Sequence, residues 1–200
     1  MLKREAKEIT GGLSKPSKMP GPAYNLPATE CITGAKLRKV KGSVGAGCYA
    51  LKGNYTRYPA IKAAQYYRLA SLMEPDWIPA MVTQIKRQKF FRWHDAGDIQ
   101  SAKHLTNIFE VCNQTPATRH WLPTREAKFL KFIDSAIVPA NLIIRLSGHM
   151  VDGKNATFWP WTSSVSTQGK TCPAKDQGNR CLDCRSCWNP EVKHVTYPKH

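Results

Sequence analysis

Acidic side chains are scarce in this sequence: fourteen Asp and Glu stand against thirty Lys and Arg, a formal net charge of +16 on 200 residues. An excess that large draws a chain toward polyanions, with nucleic acid or another polyanion as the partner to expect. The same surplus would also balance a cluster of metal-bound thiolates, so charge alone does not name the ligand. Other absences narrow the field. No apolar run reaches the length that spans a bilayer, which predicts no membrane partner, and the opening Met1-Leu2-Lys3-Arg4-Glu5 has no apolar export core, which predicts a cytoplasmic chain. There is no G-x-x-x-x-G-K-S/T phosphate loop, no H-E-x-x-H pair and no G-x-S-x-G elbow, so nucleotide hydrolysis and serine or zinc-protease chemistry have no motif behind them.

Cysteine is the residue present in an informative pattern. Cys172-Pro173 is followed by Cys181-Leu182-Asp183-Cys184-Arg185-Ser186-Cys187-Trp188. Two-residue gaps let successive sulfurs converge, and soft thiolates select zinc or iron–sulfur centres. A C-x-x-C-x-x-C run is nearer to the pattern that holds a [4Fe–4S] cube than to a zinc ribbon, which uses two separated pairs. The expected cofactor is therefore a [4Fe–4S] cluster on Cys172, Cys181, Cys184 and Cys187, with zinc as the alternative. Disulfides are disfavoured by the cytoplasmic expectation and by an odd total of seven cysteines. Cys48 lies just after Gly42, Gly45 and Gly47, where bare backbone admits a bulky ligand, so it is a further candidate, and Cys31 a weaker one, as replacement ligands or ligands of a second site.

Taken in order, residues 1–30 read as an extended arm, because Ser14 to Pro22 is too rich in proline for a helix. Pro59 suits the first turn of a helix with an apolar series from Ile61 to Met73, and Ile78, Met81, Val82 and Ile85 form the stripe of another after Asp76. From Lys89 the rhythm changes. Lys89–His94, Arg119–Leu122 and Asn141–Leu146 read as strands, separated by a helix carrying Leu105, Ile108, Phe109 and Cys112 and by one that Thr124 caps and that runs to Lys131. Trp161–Ser166 can add a fourth strand. This β-α-β-α-β alternation predicts an α/β fold with a parallel sheet, which a partial or small TIM-like barrel would also satisfy. The chain then divides as one domain over 1–200: an arm (1–30), an α/β core (31–165) and a cysteine-rich metal-binding segment (166–200).

In such sheets ligands gather beyond the carboxyl ends of the strands. That position selects His94, Asp95 and Asp98, then Thr124 and Arg125, then Ser147 and His149. A histidine among carboxylates suits acid–base work, and Arg125 suits a phosphate or carboxylate. His94, Asp95, Asp98 and Arg125 are the candidate catalytic set. Equally, Asp98 could cap the helix that starts near Ser101, and His94 could be a satisfied core residue.

Several motifs in order carry a family resemblance: Ser17-Lys18-Met19-Pro20, Leu26-Pro27-Ala28 before Cys31, Cys48-Tyr49-Ala50-Leu51-Lys52-Gly53-Asn54-Tyr55, Arg92-Trp93-His94-Asp95-Ala96-Gly97-Asp98, Leu122-Pro123-Thr124-Arg125 and the closing cysteine run. Together, from about Gly11 to Trp188, they resemble the phage proteins called gene product 88. The resemblance implies a phage or prophage origin and a host bacterial cytoplasm. A more distant similarity is to phage-borne radical S-adenosylmethionine barrels, which share the Cys-Tyr-Ala segment. This chain departs from them in lacking C-x-x-x-C-x-x-C ahead of its first long strand.

Overall fold

The computed structural model describes residues 1–199. Six strands, β1 (Ala23–Tyr24), β2 (Phe90–Trp93), β3 (Arg119–Thr124), β4 (Leu142–Val151), β5 (Thr162–Ser166) and β6 (His194–Pro198), form one sheet. They lie side by side in chain order, and every neighbouring pair is parallel. The sheet is open, with β1 and β6 as its edges. Parallel neighbours need long return connections, and the chain supplies them unevenly. Helices α2 (Ile32–Leu37), α3 (Asn54–Arg57), α4 (Pro59–Ser71) and α5 (Trp77–Ile85) lie between β1 and β2, and α6 (Ala102–Asn113) lies between β2 and β3. The β5–β6 connection is the cysteine-bearing segment. No helix among the described residues is long and apolar enough to cross a membrane.

Because strand side chains alternate, each face of the sheet has its own lining. Phe91, Trp93, Leu122, Leu142, Ile144 and Leu146 face α5 and α6 and pack with Trp77, Met81, Ile85, Leu105, Ile108 and Cys112 as the main core. Cys112 is thus the apolar core residue its helical stripe implied. The opposite face begins with Phe90, Trp121 and, from the cysteine segment, Trp188. The Trp188 indole donates to the Phe91 carbonyl at 2.9 Å and meets Phe90 and Trp121 edge-on. Arg145, fully buried on β4, holds the same segment down: Nε donates to the Cys187 carbonyl, and Nη2 to those of Ser186, Asn189 and Val192, at 2.7–3.2 Å.

Residues 1–30 are not extended throughout. Lys3–Thr10 forms helix α1, the Glu5 carboxylate accepting from the Leu2 N–H at its start and Gly11, at φ 74°, closing it. The prolines that signal an arm all follow this helix, and they do keep Ser14 to Pro22 out of any helix. Strand β1 was too short to leave a pattern, and β6, His-Val-Thr-Tyr-Pro, has polar residues and a proline that suit an edge. Helix α4 starts at Pro59 as the sequence implies, but it packs through Gln65, Arg68 and Ser71, leaving Tyr67 and Met73 exposed, the latter 87%. The reason is a polar hub. The buried Tyr24 hydroxyl donates to the Thr10 carbonyl at 2.8 Å, shares a hydrogen with Ser71 at 2.9 Å and accepts from the Trp77 indole at 3.2 Å. The helix expected after Thr124 is only a short turn over Ala127–Phe129, since Thr124 ends β3 and its hydroxyl accepts from the Glu126 N–H at 3.0 Å.

Replacing Arg145 by methionine keeps the bulk and leaves the buried carbonyls without donors. Urea denaturation should show a loss of about 3 kcal/mol or more, with faster hydrogen exchange over 186–192. A loss within about 0.5 kcal/mol, the range of ordinary surface substitutions, would mean that the guanidinium does not anchor this segment.

Candidate metal centre and strand-end site

The cysteine segment is tied at both ends by backbone. The Thr171 and Cys172 N–H groups both donate to the Thr196 carbonyl of β6 at 3.0 Å, and the Cys181 N–H donates to the Lys18 carbonyl of the arm at 2.8 Å. Between these ties runs a turn over Pro173–Gln177, closed by Gly178 in the left-handed region. Leu182, at φ 41°, then lets the chain double back so that the Cys184 N–H reaches the Cys181 carbonyl at 2.9 Å. A second turn, Ser186–Trp188, sets Cys187 beside the sheet.

All four cysteines are half-buried, free thiols. The Cys187 sulfur contacts the Tyr197 hydroxyl at 3.2 Å, and that of Cys184 contacts the Ser186 hydroxyl at 3.4 Å. Burial pushes the Cys187 thiol up to about 11 and raises that of Cys181, with Cys172 near enough to both to add to the rise. A metal taking Cys181 and Cys187 would therefore have to displace their protons. Among the described residues, no three His, Cys, Asp or Glu side chains stand together closely enough to hold a metal ion. The donor chemistry fits a thiolate centre. The sulfurs are gathered on one segment but not closed on one point, and two of them are turned to hydroxyls.

Charge distinguishes this region more than sulfur geometry does. Burial lowers the Arg145 pKa despite Tyr197 and Cys187 beside it, and its Nη1 is buried without a partner. Arg92, on the same face of β2, stacks its guanidinium 4.4 Å above the Trp121 ring and points Nη1 at the Met19 sulfur, while its buried Nε has no partner. Neither forms an ion pair. The ion pairs among the described residues are Arg4–Glu8 and Lys170–Asp176. Sequence reasoning missed both arginines, although Ile143-Ile144-Arg145-Leu146 places a cation in mid-strand, where a charge is costly unless something compensates it.

The candidate catalytic residues do not form one cleft. Asp98 is buried and fully engaged: it accepts from the Ile99 N–H at 2.8 Å, the Thr124 hydroxyl at 2.6 Å and the Arg125 N–H at 2.9 Å. Burial pushes it up to about 6 in spite of those donors. It therefore bridges β2 to β3 and does not cap α6, a role taken by the Ser101 hydroxyl. Arg125 meets it only through backbone; its Nε donates to the Gly148 carbonyl at 3.3 Å, and His149 contacts the Arg125 carbonyl at the same distance. Ser147 shares a hydrogen with Ser163 at 3.0 Å. Asp95 faces elsewhere, accepting from the Tyr55 and Ser14 hydroxyls at 2.9 and 3.3 Å.

Near Asp98 stands a carboxylate that the sequence did not single out. Glu126 is fully buried and accepts from the Thr33 N–H and hydroxyl at 2.7 and 2.8 Å. Cys31 precedes this contact and packs with Cys48 around Ala28, Ala50 and Ala96. Burial, then Asp98 and Cys48, push its thiol up to about 12. The two second-rank cysteines are thus brought together at the carboxyl ends of the first strands, away from the four of the β5–β6 connection.

His94 lies in the aromatic core, with a positive φ of 52° and both ring nitrogens buried and unpartnered. Its ring meets His104 edge-on at 5.2 Å, and His120 stacks on Trp93. Next to it, Gly97 must be glycine: at φ 82°, a Cβ would lie 2.6 Å from that of Leu26. Burial holds His94 well below the usual imidazole range and brings His104 and His120 to about 3.

The chain is thus an α/β protein built on a parallel sheet, with a cysteine-bearing connection on one face and a carboxylate–thiol site at the strand ends. A family model, Gene product 88, matches residues 1–190, and the chain belongs to that family. No curated protein matches it, and no solved structure does.

The three histidines give stability a defined pH dependence. They are neutral in the fold and would protonate on unfolding below about 6.5, so their contribution is complete above that pH and is lost as pH falls. Asp98 runs the other way between about 4 and 6, because the fold protonates it first. At pH 5, unfolding should take up about two net protons, a slope of about 2.7 kcal/mol per pH unit. His104→Gln should remove about one proton from the uptake measured by denaturation across pH. An unchanged slope would mean that His104 is charged in the fold.

Proposed function

We propose that this protein is a phage-encoded metal-cluster protein that holds a [4Fe–4S] centre on Cys172, Cys181, Cys184 and Cys187 and docks a polyanion, most simply nucleic acid, on its basic surface. The observation that carries the first half is the pair of interior guanidiniums, Arg92 and Arg145, neither in an ion pair, beneath a segment bearing four cysteines. With the Cys181 and Cys187 thiols pushed up by burial, Arg145 lacks a counter-charge, whereas Arg92 has Asp95 within electrostatic reach. Thiolates on a metal would supply the missing negative charge in a low-dielectric setting, where it counts most. The C-x-x-C-x-x-C spacing favours a cube over zinc. When bound, the cluster would supply one-electron chemistry; the chain's own residues bring the sulfurs to one face and set cations beside them.

The second half rests on where exposed lysines fall. Helix α2 and the turn after it carry Lys36, Lys39 and Lys41, and the turn after β3, joined to α2 through Glu126 and Thr33, carries Lys128 and Lys131. Two tied segments thus offer one basic surface suited to phosphates.

A second reading, an enzyme, is favoured by Asp98, whose value of about 6 suits proton exchange near neutrality. The sequential parallel order of the strands would suit a barrel-like scaffold of radical S-adenosylmethionine type, and Cys31 and Cys48 stand at the strand ends where its chemistry would lie. In that case Asp98→Asn would abolish turnover and leave metal content unchanged.

Protein purified without oxygen should contain about four irons with equal acid-labile sulfide and a broad visible absorption. Cys184→Ala should lose them with its secondary structure intact. One zinc and no sulfide would replace the cluster by a structural metal, and no metal at all would remove the proposal. For the basic surface, Lys39→Gln with Lys131→Gln should lower the slope of log affinity against log salt for duplex DNA by about two; an unchanged slope would place nucleic acid elsewhere.

A further inference from the structure

Two buried charges of opposite sign line one cleft without meeting. Arg68 of α4 is 7% exposed and Asp95, just after β2, is 3% exposed. Both border a cleft of about 400 Å³ at the carboxyl ends of β1 and β2. They form no ion pair, the pairs among the described residues being Arg4–Glu8 and Lys170–Asp176. Each is instead fixed by neutral groups. Arg68 donates through Nε to the Gly12 carbonyl at 2.8 Å and through Nη1 to the Asn25 side-chain oxygen, while its Nη2 makes no hydrogen bond among the described residues. The Asp95 carboxylate accepts from the Ser14 and Tyr55 hydroxyls, and its carbonyl from the Tyr49 hydroxyl. Beside Arg68 on the same helix, Ala60, Ile61 and Ala64 make an apolar wall.

A guanidinium and a carboxylate held apart by scaffolding and bordering one space attract each other only across it, with Arg92 also acting on Asp95, and a ligand between them would give each a direct partner. Collapse into an ion pair would have been the simplest relief, and the hydrogen bonds to Gly12, Asn25, Ser14 and Tyr55 prevent it. A ligand carrying a carboxylate and an ammonium completes both at once, and the wall beside them accepts an aliphatic group. From this we infer that the cleft binds an α-amino acid with an apolar side chain, its carboxylate on Arg68 and its ammonium on Asp95. This site needs no metal, although Arg92 lies within electrostatic reach of both Asp95 and the Cys181 and Cys187 thiols.

L-leucine is the probe, titrated calorimetrically into the full chain alongside isopentylamine, which lacks the carboxylate, and 4-methylpentanoate, which lacks the ammonium. Leucine should bind with a stoichiometry of one and at least tenfold more tightly than either. Asp95→Asn should weaken leucine and the amine but spare the acid; Arg68→Gln should weaken leucine and the acid but spare the amine. Arg68 also holds Gly12 and Asn25, so a third variant guards against misfolding: Ala64→Phe fills the cleft from a half-buried helix position and should abolish leucine binding with the circular dichroism unchanged. The inference is overturned if leucine gives no saturable heat, if either single-charge analogue binds as tightly, or if Ala64→Phe binds normally.

Discussion

A single guanidinium decides what the second face of the sheet can be. Arg145 stands in the middle of the longest strand, and its Nε and Nη2 donors are spent on carbonyls of the β5–β6 connection. A parallel sheet must be covered on both faces, and this chain has no helix to spare for the second one. It uses an irregular segment instead, whose backbone groups would otherwise be buried without partners. The arginine meets that need with one side chain, and Trp188 adds the apolar half of the contact through Phe90 and Trp121. Everything that the cysteines could do depends on this pinning.

The surplus of cations seen in the composition is therefore not confined to the surface. Arg68, Arg92 and Arg145 all reach the interior without an ion pair, Asp95 acting on the first two only across a distance, whereas the buried Asp98 and Glu126 are satisfied by backbone and hydroxyl donors and not by cations. Opposite charges are thus kept apart inside one small molecule, against the Coulomb attraction that a low dielectric would magnify. A structure selected for stability alone would have paired or removed them, since apolar replacements of buried ions are often neutral or stabilising. Separation of this kind makes sense where an external group, metal thiolates on one face and a zwitterion at the strand ends, completes the balance.

Much of the fold was legible because parallel strands buried on both sides leave dense apolar runs, and those of β2, β3 and β4 stood out against helical periodicity. The edge strands did not, being short or polar. Helix α1 was hidden by the prolines that follow it, and the packing face of α4 by an apolar series that in fact meets solvent. The site was legible only as residue types. Position at a strand end picked out His94, Asp95 and Asp98 as candidates, but a linear pattern cannot show that Asp98 looks toward Thr124 while Asp95 looks toward Tyr55. Nor can it pair Arg68 with Asp95, whose proximity depends on how α4 lies against β1.

Apart from the contact of the Cys187 sulfur with the Tyr197 hydroxyl, the anchors of the cysteine segment among the described residues do not involve a sulfur. Backbone ties to Lys18 and Thr196, the Trp188 indole and the Arg145 fork place the segment before any metal arrives. This differs from small zinc modules, in which metal binding and folding are one event and the apo chain is unfolded. Here, closing the sulfurs on a point would require side-chain rotations at Cys184 and Cys187 away from Ser186 and Tyr197. A centre bound in this way would add rigidity and charge balance to a fold that already exists, so its loss would silence the chemistry of the protein without unfolding it.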